Sequence, residues 1–86
     1  MKSTMSGQIK KHMEQLNKRL KADNSPVRYT AVMQYSNCYW LKKCNVQYTE
    51  SGKERLVNSE VIFQYISTEE IIRILMSMVM AIDAII

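Results

Sequence analysis

Three side chains in this sequence have the chemistry to bind a metal ion or to act on a substrate: His12, Cys38 and Cys44. A histidine that works as a general base needs a group that orients it and a nucleophile within hydrogen-bond reach. His12 is the only histidine, and no carboxylate follows it at a spacing of three or four residues. The sequence therefore predicts no catalytic residue, and we expect a protein that is not an enzyme.

The same three residues do not have the spacing of a zinc site. A structural zinc ion takes four ligands close in space, and the separation of Cys38 from Cys44 matches no zinc knuckle. Six positions along one strand separate the two thiols by about 20 Å, which is beyond the reach of a disulfide bond. We expect two free thiols, buried or half-buried, in a reducing compartment, with no metal and no cofactor.

The length and composition predict one small domain over residues 1–86, of which hydrophobic residues make up 47%. A chain of this size buries only about 60% of the surface that its unfolded form exposes, so a partner or a second copy would stabilise it. No apolar run follows the first residues, and the apolar stretch at residues 74–86 is shorter than the ~20 residues of a membrane span. These features predict a cytoplasmic protein without a membrane partner.

The net charge of +4 is unevenly distributed, with the basic residues concentrated in the first third of the chain. Clustered lysines can neutralise phosphates and release counterions, so a small nucleic-acid-binding or transcription-control module is the alternative function. The same pattern is typical of any solvated helix. The lysines that would carry the alternative are Lys10, Lys11, Lys18, Lys21, Lys42 and Lys43.

Two helices and three strands must position these side chains. Apolar residues recur every three or four positions from Met5 to Leu20, which predicts a helix over residues 5–22 that ends before Pro26. Apolar and polar residues alternate over residues 27–35, and aromatic and β-branched residues are frequent over residues 39–49 and 55–66. These segments predict three strands, with a turn at Ser36-Asn37 and a hairpin loop at residues 50–53.

The inward face of the second predicted strand is ambiguous, and a bulge near Lys42-Lys43 would reconcile its two apolar sets. After the third strand, Ser67 and Glu70 have the S-x-x-E spacing of a capping box, which predicts a helix from Glu69 to the end. The order predicts an α+β fold of αβββα type. We expect a three-stranded antiparallel sheet with the N- and C-terminal helices packed on one face.

Aromatic residues are numerous for a sheet of this size. Because two helices cover only one sheet face, some of these rings must point outward, where Tyr and Trp are favoured anchors for a partner. We expect the uncovered face to bind a protein partner through Tyr29, Tyr35, Tyr39, Trp40, Tyr48 and Tyr65.

The predicted last helix is unusually apolar and has two interpretations. It is the core helix of a small domain, with methionine filling gaps, or part of it stays exposed until a second copy or a target covers it. The second interpretation predicts a homodimer in which the self-association residues are Met76, Met80, Ile85 and Ile86.

The element order resembles that of the double-stranded RNA-binding domain, a family that grips phosphates with a lysine-rich start to its second helix. Here the matching positions are Ser67, Thr68, Glu69 and Glu70, which would repel a phosphate backbone. In size, composition and element order the chain also resembles small accessory proteins of phages and mobile elements, among them anti-CRISPR inhibitors. That resemblance implies an inhibitor or modulator that binds a host protein or ribonucleoprotein. The chain is basic, whereas inhibitors that mimic DNA are strongly acidic.

Overall fold

The computed structural model describes the backbone of residues 7–84 and the side chains of residues 7–82. Its elements follow the order helix, three strands, helix, which confirms the predicted α+β fold. The bounds are α1 Gly7–Ala22, β1 Val27–Tyr35, β2 Cys38–Tyr48, β3 Glu54–Ile66 and α2 Thr68–Ala84. The predicted helical positions Met5, Ile85 and Ile86 lie outside the described residues.

The three strands form an antiparallel meander in the order β1-β2-β3, as predicted. The pairing of β1 with β2 is regular from Val27 opposite Asn45 to Met33 opposite Tyr39. Asn37 closes the connecting turn with a φ of 58°, a left-handed conformation that asparagine tolerates better than most residues.

The pairing of β2 with β3 is irregular, because its register slips three times between Tyr48 opposite Glu54 and Tyr39 opposite Ile66. The slips lie at the level of the predicted bulge, but the extra residues belong to β3 and not to Lys42-Lys43. As the central strand, β2 is hydrogen-bonded on both sides and stays regular, whereas the edge strand takes up the irregularity. Two β3 residues, Asn58 and Tyr65, have positive φ angles of 55° and 56°.

The core lies between the helices and one face of β1 and β2. Leu41 at the centre of the sheet is fully buried. Directly opposed residues share a face and successive residues alternate, so Leu41 and its partner Ala31 fix which face the helices cover. The buried core cluster comprises Ile9, Leu16, Ala31, Tyr39, Leu41, Ile66, Ile71 and Leu75.

Side-chain hydrogen bonds attach both helices to the sheet. The Asn17 side chain of α1 accepts a hydrogen bond from the Tyr29 N–H at 2.8 Å and donates one to the Tyr29 carbonyl at 2.9 Å. It thus satisfies both backbone groups of Tyr29, as pairing with a neighbouring strand would. Asn37 accepts from the Thr68 N–H at 2.9 Å, which satisfies a free donor at the start of α2. The β1–β2 turn therefore positions the second helix.

One half of the predicted capping box is present at the start of α2, because the Glu70 carboxylate bonds the Ser67 hydroxyl and not the Ser67 backbone N–H. The Glu70 N–H donates to the Ser67 hydroxyl at 3.2 Å, and that hydroxyl donates to the Glu70 carboxylate at 3.1 Å. The Ser67 carbonyl also accepts from the Ile71 N–H at 3.0 Å, so Ser67 is the N-cap. Neither helix in residues 7–84 has the length and apolar character needed to cross a membrane.

Candidate interaction surface

The sheet face opposite Ala31 and Leu41 contributes no residue to the core cluster between the sheet and the helices, although the end of α1 borders it where Lys21 approaches Glu54. Strand alternation and register assign its residues, and we call this surface the open face. Its members are Arg28, Thr30, Val32 and Tyr35 of β1, Cys38, Trp40, Lys42, Cys44, Val46 and Tyr48 of β2, and Glu54, Leu56, Ser59, Val61 and Tyr65 of β3.

Three aromatic residues gather at one end of the open face, and we call Tyr35, Trp40 and Tyr65 the aromatic end. The rings of Trp40 and Tyr65 meet edge to face, with centroids 6.0 Å apart and planes at 89°. This is a favoured geometry for aromatic pairs. A hydrogen bond with the Cys38 thiol raises the pKa of Tyr35 above its ordinary value, and the Cys38 charge, desolvation and the Tyr65 charge act in the same direction. Tyr35 and Tyr65 remain 63% and 64% exposed.

The aromatic end contains two local departures from ideal structure. Tyr65 has a left-handed φ of 56°, which is rare and strained for a residue with a bulky side chain. The Trp40 indole Nε1 is buried and has no hydrogen-bond acceptor within the described part of the chain. A buried N–H without an acceptor loses its hydration and gains nothing in return. Both features lie at the pair of rings that touch each other.

The middle of the open face is polar and closely packed. Cys44 is buried, its thiol donates to the Ser59 hydroxyl at 3.6 Å, and Thr30 lies 3.9 Å from the same sulfur. Cys38 is also buried, and both cysteines are free, as predicted. Among residues 7–82, no group of three or more His, Cys, Asp or Glu side chains is placed to hold a metal ion.

The other end of the open face is an ionic cluster. The Arg28 side chain is only 5% exposed and lies 3.4 Å from the Glu54 carboxylate, which Lys21 approaches to 3.5 Å. Arg28 also donates to the carbonyls of Ser25 and Val27, both at 2.7 Å. The pKa of Glu54 lies below its ordinary value, mainly because the carboxylate accepts a hydrogen bond from Arg28. The positive charges of Arg28 and Lys21 and a hydrogen bond from Lys21 lower it further, while desolvation opposes the shift. The guanidinium of Arg28 is thus fully engaged within the fold.

The structure corrects the predicted aromatic surface at two positions. Tyr39 is only 3% exposed and belongs to the core, and Tyr29 packs against that core from the helix side of β1. Their strand neighbours have the opposite orientation, because alternation along β1 and β2 sends every second side chain to the other face. Trp40, Tyr48 and Tyr65 lie on the open face, and Tyr35 lies at its end.

The six lysines of the nucleic-acid alternative do not form one surface. Lys10, Lys11, Lys18 and Lys21 are exposed on α1, but Lys21 is paired with Glu54. Lys42 and Lys43 are consecutive in β2 and project to opposite faces of the sheet. The basic surface is therefore divided among α1 and the two faces of the sheet.

The predicted self-association residues Met76 and Met80 are exposed on α2, while Ile85 and Ile86 lie outside the described residues. Most of the other apolar side chains of α2 pack into the core, as the core-helix interpretation predicts. Met76 lies between two shallow depressions along α1 and α2. One, of about 160 Å³, also contains His12, Gln15, Val79 and Met80, and the other, of about 450 Å³, contains Gln8, Glu69, Ile72 and Arg73.

Sequence reasoning missed the cluster formed by Arg28 and Glu54. The signal was an arginine within an apolar strand, at a position where alternation directs it away from the core. Its carboxylate partner is 26 residues away, and only the strand pairing shows that the two meet. No family model, no curated protein and no solved structure matches the chain.

Proposed function

We propose that this protein acts by binding a protein partner through the aromatic end of the open face, without catalysis. The observation that carries the proposal is the cluster of Tyr35, Trp40 and Tyr65 on the sheet face away from the core cluster, where Tyr35 and Tyr65 are largely exposed. Tyr and Trp anchors of this kind supply much of the binding free energy at protein interfaces, because they combine large apolar area with a polar group.

The arrangement of charge favours a protein partner over a nucleic acid. A phosphate backbone is bound by several unpaired cations along its path. On the open face Arg28 is neutralised by Glu54, which leaves Lys42 as the cation without an ion pair among the described residues of that face. Of the α1 lysines, Lys18 and Lys21 lie at the other end of the face, beside Arg28 and Glu54.

The resemblance to phage and mobile-element accessory proteins suggests a specific class of function for this protein. We propose that the protein is an inhibitor of anti-CRISPR type and that its partner is a cytoplasmic host protein or ribonucleoprotein. The two free thiols agree with a reducing compartment. The proposal also includes self-association through α2, because Met80 leaves 68% of its surface exposed.

Affinity capture from a bacterial lysate tests the proposal, with nuclease-treated and untreated samples and identification of the captured species. Tyr35→Ser combined with Tyr65→Ser should abolish capture, because both rings are exposed and neither is in the core cluster. Tyr48→Ser is the matched control, since Tyr48 is exposed at the opposite end of the same face.

Two results would replace the proposal by the nucleic-acid alternative. The first is loss of capture after nuclease treatment together with a steep decline in binding as salt rises. The second is loss of capture when Lys10, Lys11 and Lys18 are changed to Glu, while the variant with Ser at both Tyr35 and Tyr65 still captures its partner.

A further inference from the structure

We propose that the partner presents an acidic side chain to the aromatic end. Its carboxylate accepts a hydrogen bond from Trp40 Nε1–H and pairs with the Lys42 ammonium group. This inference rests on the proposed function and specifies the chemistry of the partner at that same surface. Three observations support it: the indole N–H has no acceptor, Lys42 has no ion-pair partner among the described residues, and the strained Tyr65 is in contact with the indole ring.

The donor is the indole N–H of Trp40. Its nitrogen is buried, and no acceptor reaches it within residues 7–82. Indole donates and cannot accept, so only a group that carries a lone pair can satisfy it. A partner oxygen placed there would recover a hydrogen bond that the free protein lacks.

The cation is Lys42, two residues further along β2 and on the same face, so the two Cα atoms are about 7 Å apart. Its cross-strand neighbours are Thr30 and Val61, which carry no charge. Glu60 lies opposite Lys43 and therefore on the other face of the sheet. Lys42 is half-buried, and no ion pair joins it to another described residue, so a partner carboxylate would meet an uncompensated positive charge.

Because the indole nitrogen is buried, a partner oxygen reaches it only if a neighbouring side chain moves, and we infer that this side chain is Tyr65. Its ring packs edge to face with the Trp40 ring, and Tyr65 is 64% exposed. Its backbone is held in a left-handed conformation within an edge strand whose register is irregular. A change in the Tyr65 backbone would relieve this strain and move its ring away from the indole, so binding of the carboxylate is coupled to displacement of Tyr65.

The test uses the whole chain, labelled with ¹⁵N, because its one tryptophan gives a single indole N–H resonance that reports on Trp40 directly. The probes are two capped peptides, acetyl-Gly-Glu-Gly-amide and acetyl-Gly-Gln-Gly-amide, titrated through the millimolar range at constant ionic strength. We expect a saturable downfield shift of the indole resonance with the Glu peptide. We expect binding about tenfold weaker with the Gln peptide, since a charge-assisted hydrogen bond is replaced by a neutral one.

Lys42→Met should remove the preference for the Glu peptide, whereas Lys43→Met should keep it, because Lys43 lies on the other face. Unchanged backbone resonances elsewhere would establish that both variants fold. An indole resonance that does not shift, or that shifts equally with both peptides, would overturn the inference. So would tighter binding of a thymidine dinucleotide, which would assign the site to phosphate. Capture that depends on Tyr35 and Tyr65 but shows no carboxylate preference would remove this inference and leave the proposed function standing.

Discussion

Within residues 7–84, Tyr65 combines an aromatic side chain with a left-handed backbone. Leaving the ordinary backbone regions costs roughly 1–2 kcal/mol for a residue that carries a Cβ. Here the ring packs edge to face with the Trp40 ring and contributes to the exposed aromatic end. The strain is therefore located at the surface that we propose binds the partner.

Tyr65→Gly should uncover Trp40 with little damage to the fold. Glycine accepts a φ of 56°, so this variant should be about 1 kcal/mol more stable than Tyr65→Ala, which keeps the strain. Urea unfolding measures this difference, and acrylamide quenching of the single tryptophan measures its exposure. Both variants should be quenched more strongly than the parent. Equal stability of the two variants would show that the left-handed backbone carries no strain.

Individual polar contacts are the part of the structure that sequence reasoning could not supply. Asn17 pairs with the backbone of Tyr29, and Asn37 caps α2 across 31 residues. Both asparagines are of a type that suits turns and caps, but the partner of each depends on tertiary packing. The N-cap contact of Ser67 with the Glu70 N–H was predictable because the two residues are three positions apart.

At the scale of elements, both helices and β1 follow from the period of their apolar residues, whereas β2 and β3 follow from their aromatic and β-branched composition. The faces of β2 were less certain, since apolar and aromatic side chains occupy both sets of alternate positions. Tyr39 and Trp40 are adjacent in sequence, yet one is in the core and the other on the open face. Composition predicted an aromatic surface, and only the register decided which rings belong to it.

The ionic cluster of Arg28 and Glu54 joins the first and third strands across β2, and its contribution should depend on pH. The folded-state pKa of Glu54 lies below its unfolded value, because Arg28 and Lys21 stabilise the carboxylate. The unfolded state then binds more protons in this range, so stability falls as pH falls. The contribution is complete above the unfolded pKa of about 4.3 and is lost as pH decreases through the folded value.

Glu54→Gln should accordingly flatten the dependence of unfolding free energy on pH below about 4.5, because the residue that titrates there is gone. Glu60→Gln is the control, since Glu60 is exposed on β3 and makes no ion pair with a described residue. Urea unfolding from pH 3 to pH 6 gives the comparison. If the Glu60→Gln variant flattens the profile as much as Glu54→Gln does, the assignment of this pH dependence to the ionic cluster is wrong.

At the scale of the whole molecule, the helices cover β1 and β2 and leave most of β3 exposed, so the domain has a thin core. Thin cores are stabilised by association. The helices also carry two exposed apolar side chains, Met76 and Met80, which lie on α2 away from the sheet. The molecule therefore presents two separate surfaces, one for a partner and one for a second copy.

Met76→Lys combined with Met80→Lys should shift a dimer to a monomer in sedimentation velocity, because two charges would be placed in an apolar contact. Neither methionine belongs to the buried core cluster, so the fold should survive, as circular dichroism can verify. Ser77→Lys is the control, since it adds a charge at an exposed α2 position between them. A parent chain that sediments as a monomer would remove self-association from the account.

The central claim is that the aromatic end of the open face contacts a protein. Site-specific photocrosslinking tests it most directly, with p-benzoylphenylalanine in place of Tyr35, which is exposed at that end, or in place of Glu14, which is exposed on α1. We predict that the Tyr35 position forms an adduct with one defined bacterial protein and that the Glu14 position forms none with it. Adducts at Glu14 alone, or adducts to nucleic acid at either position, would contradict the account.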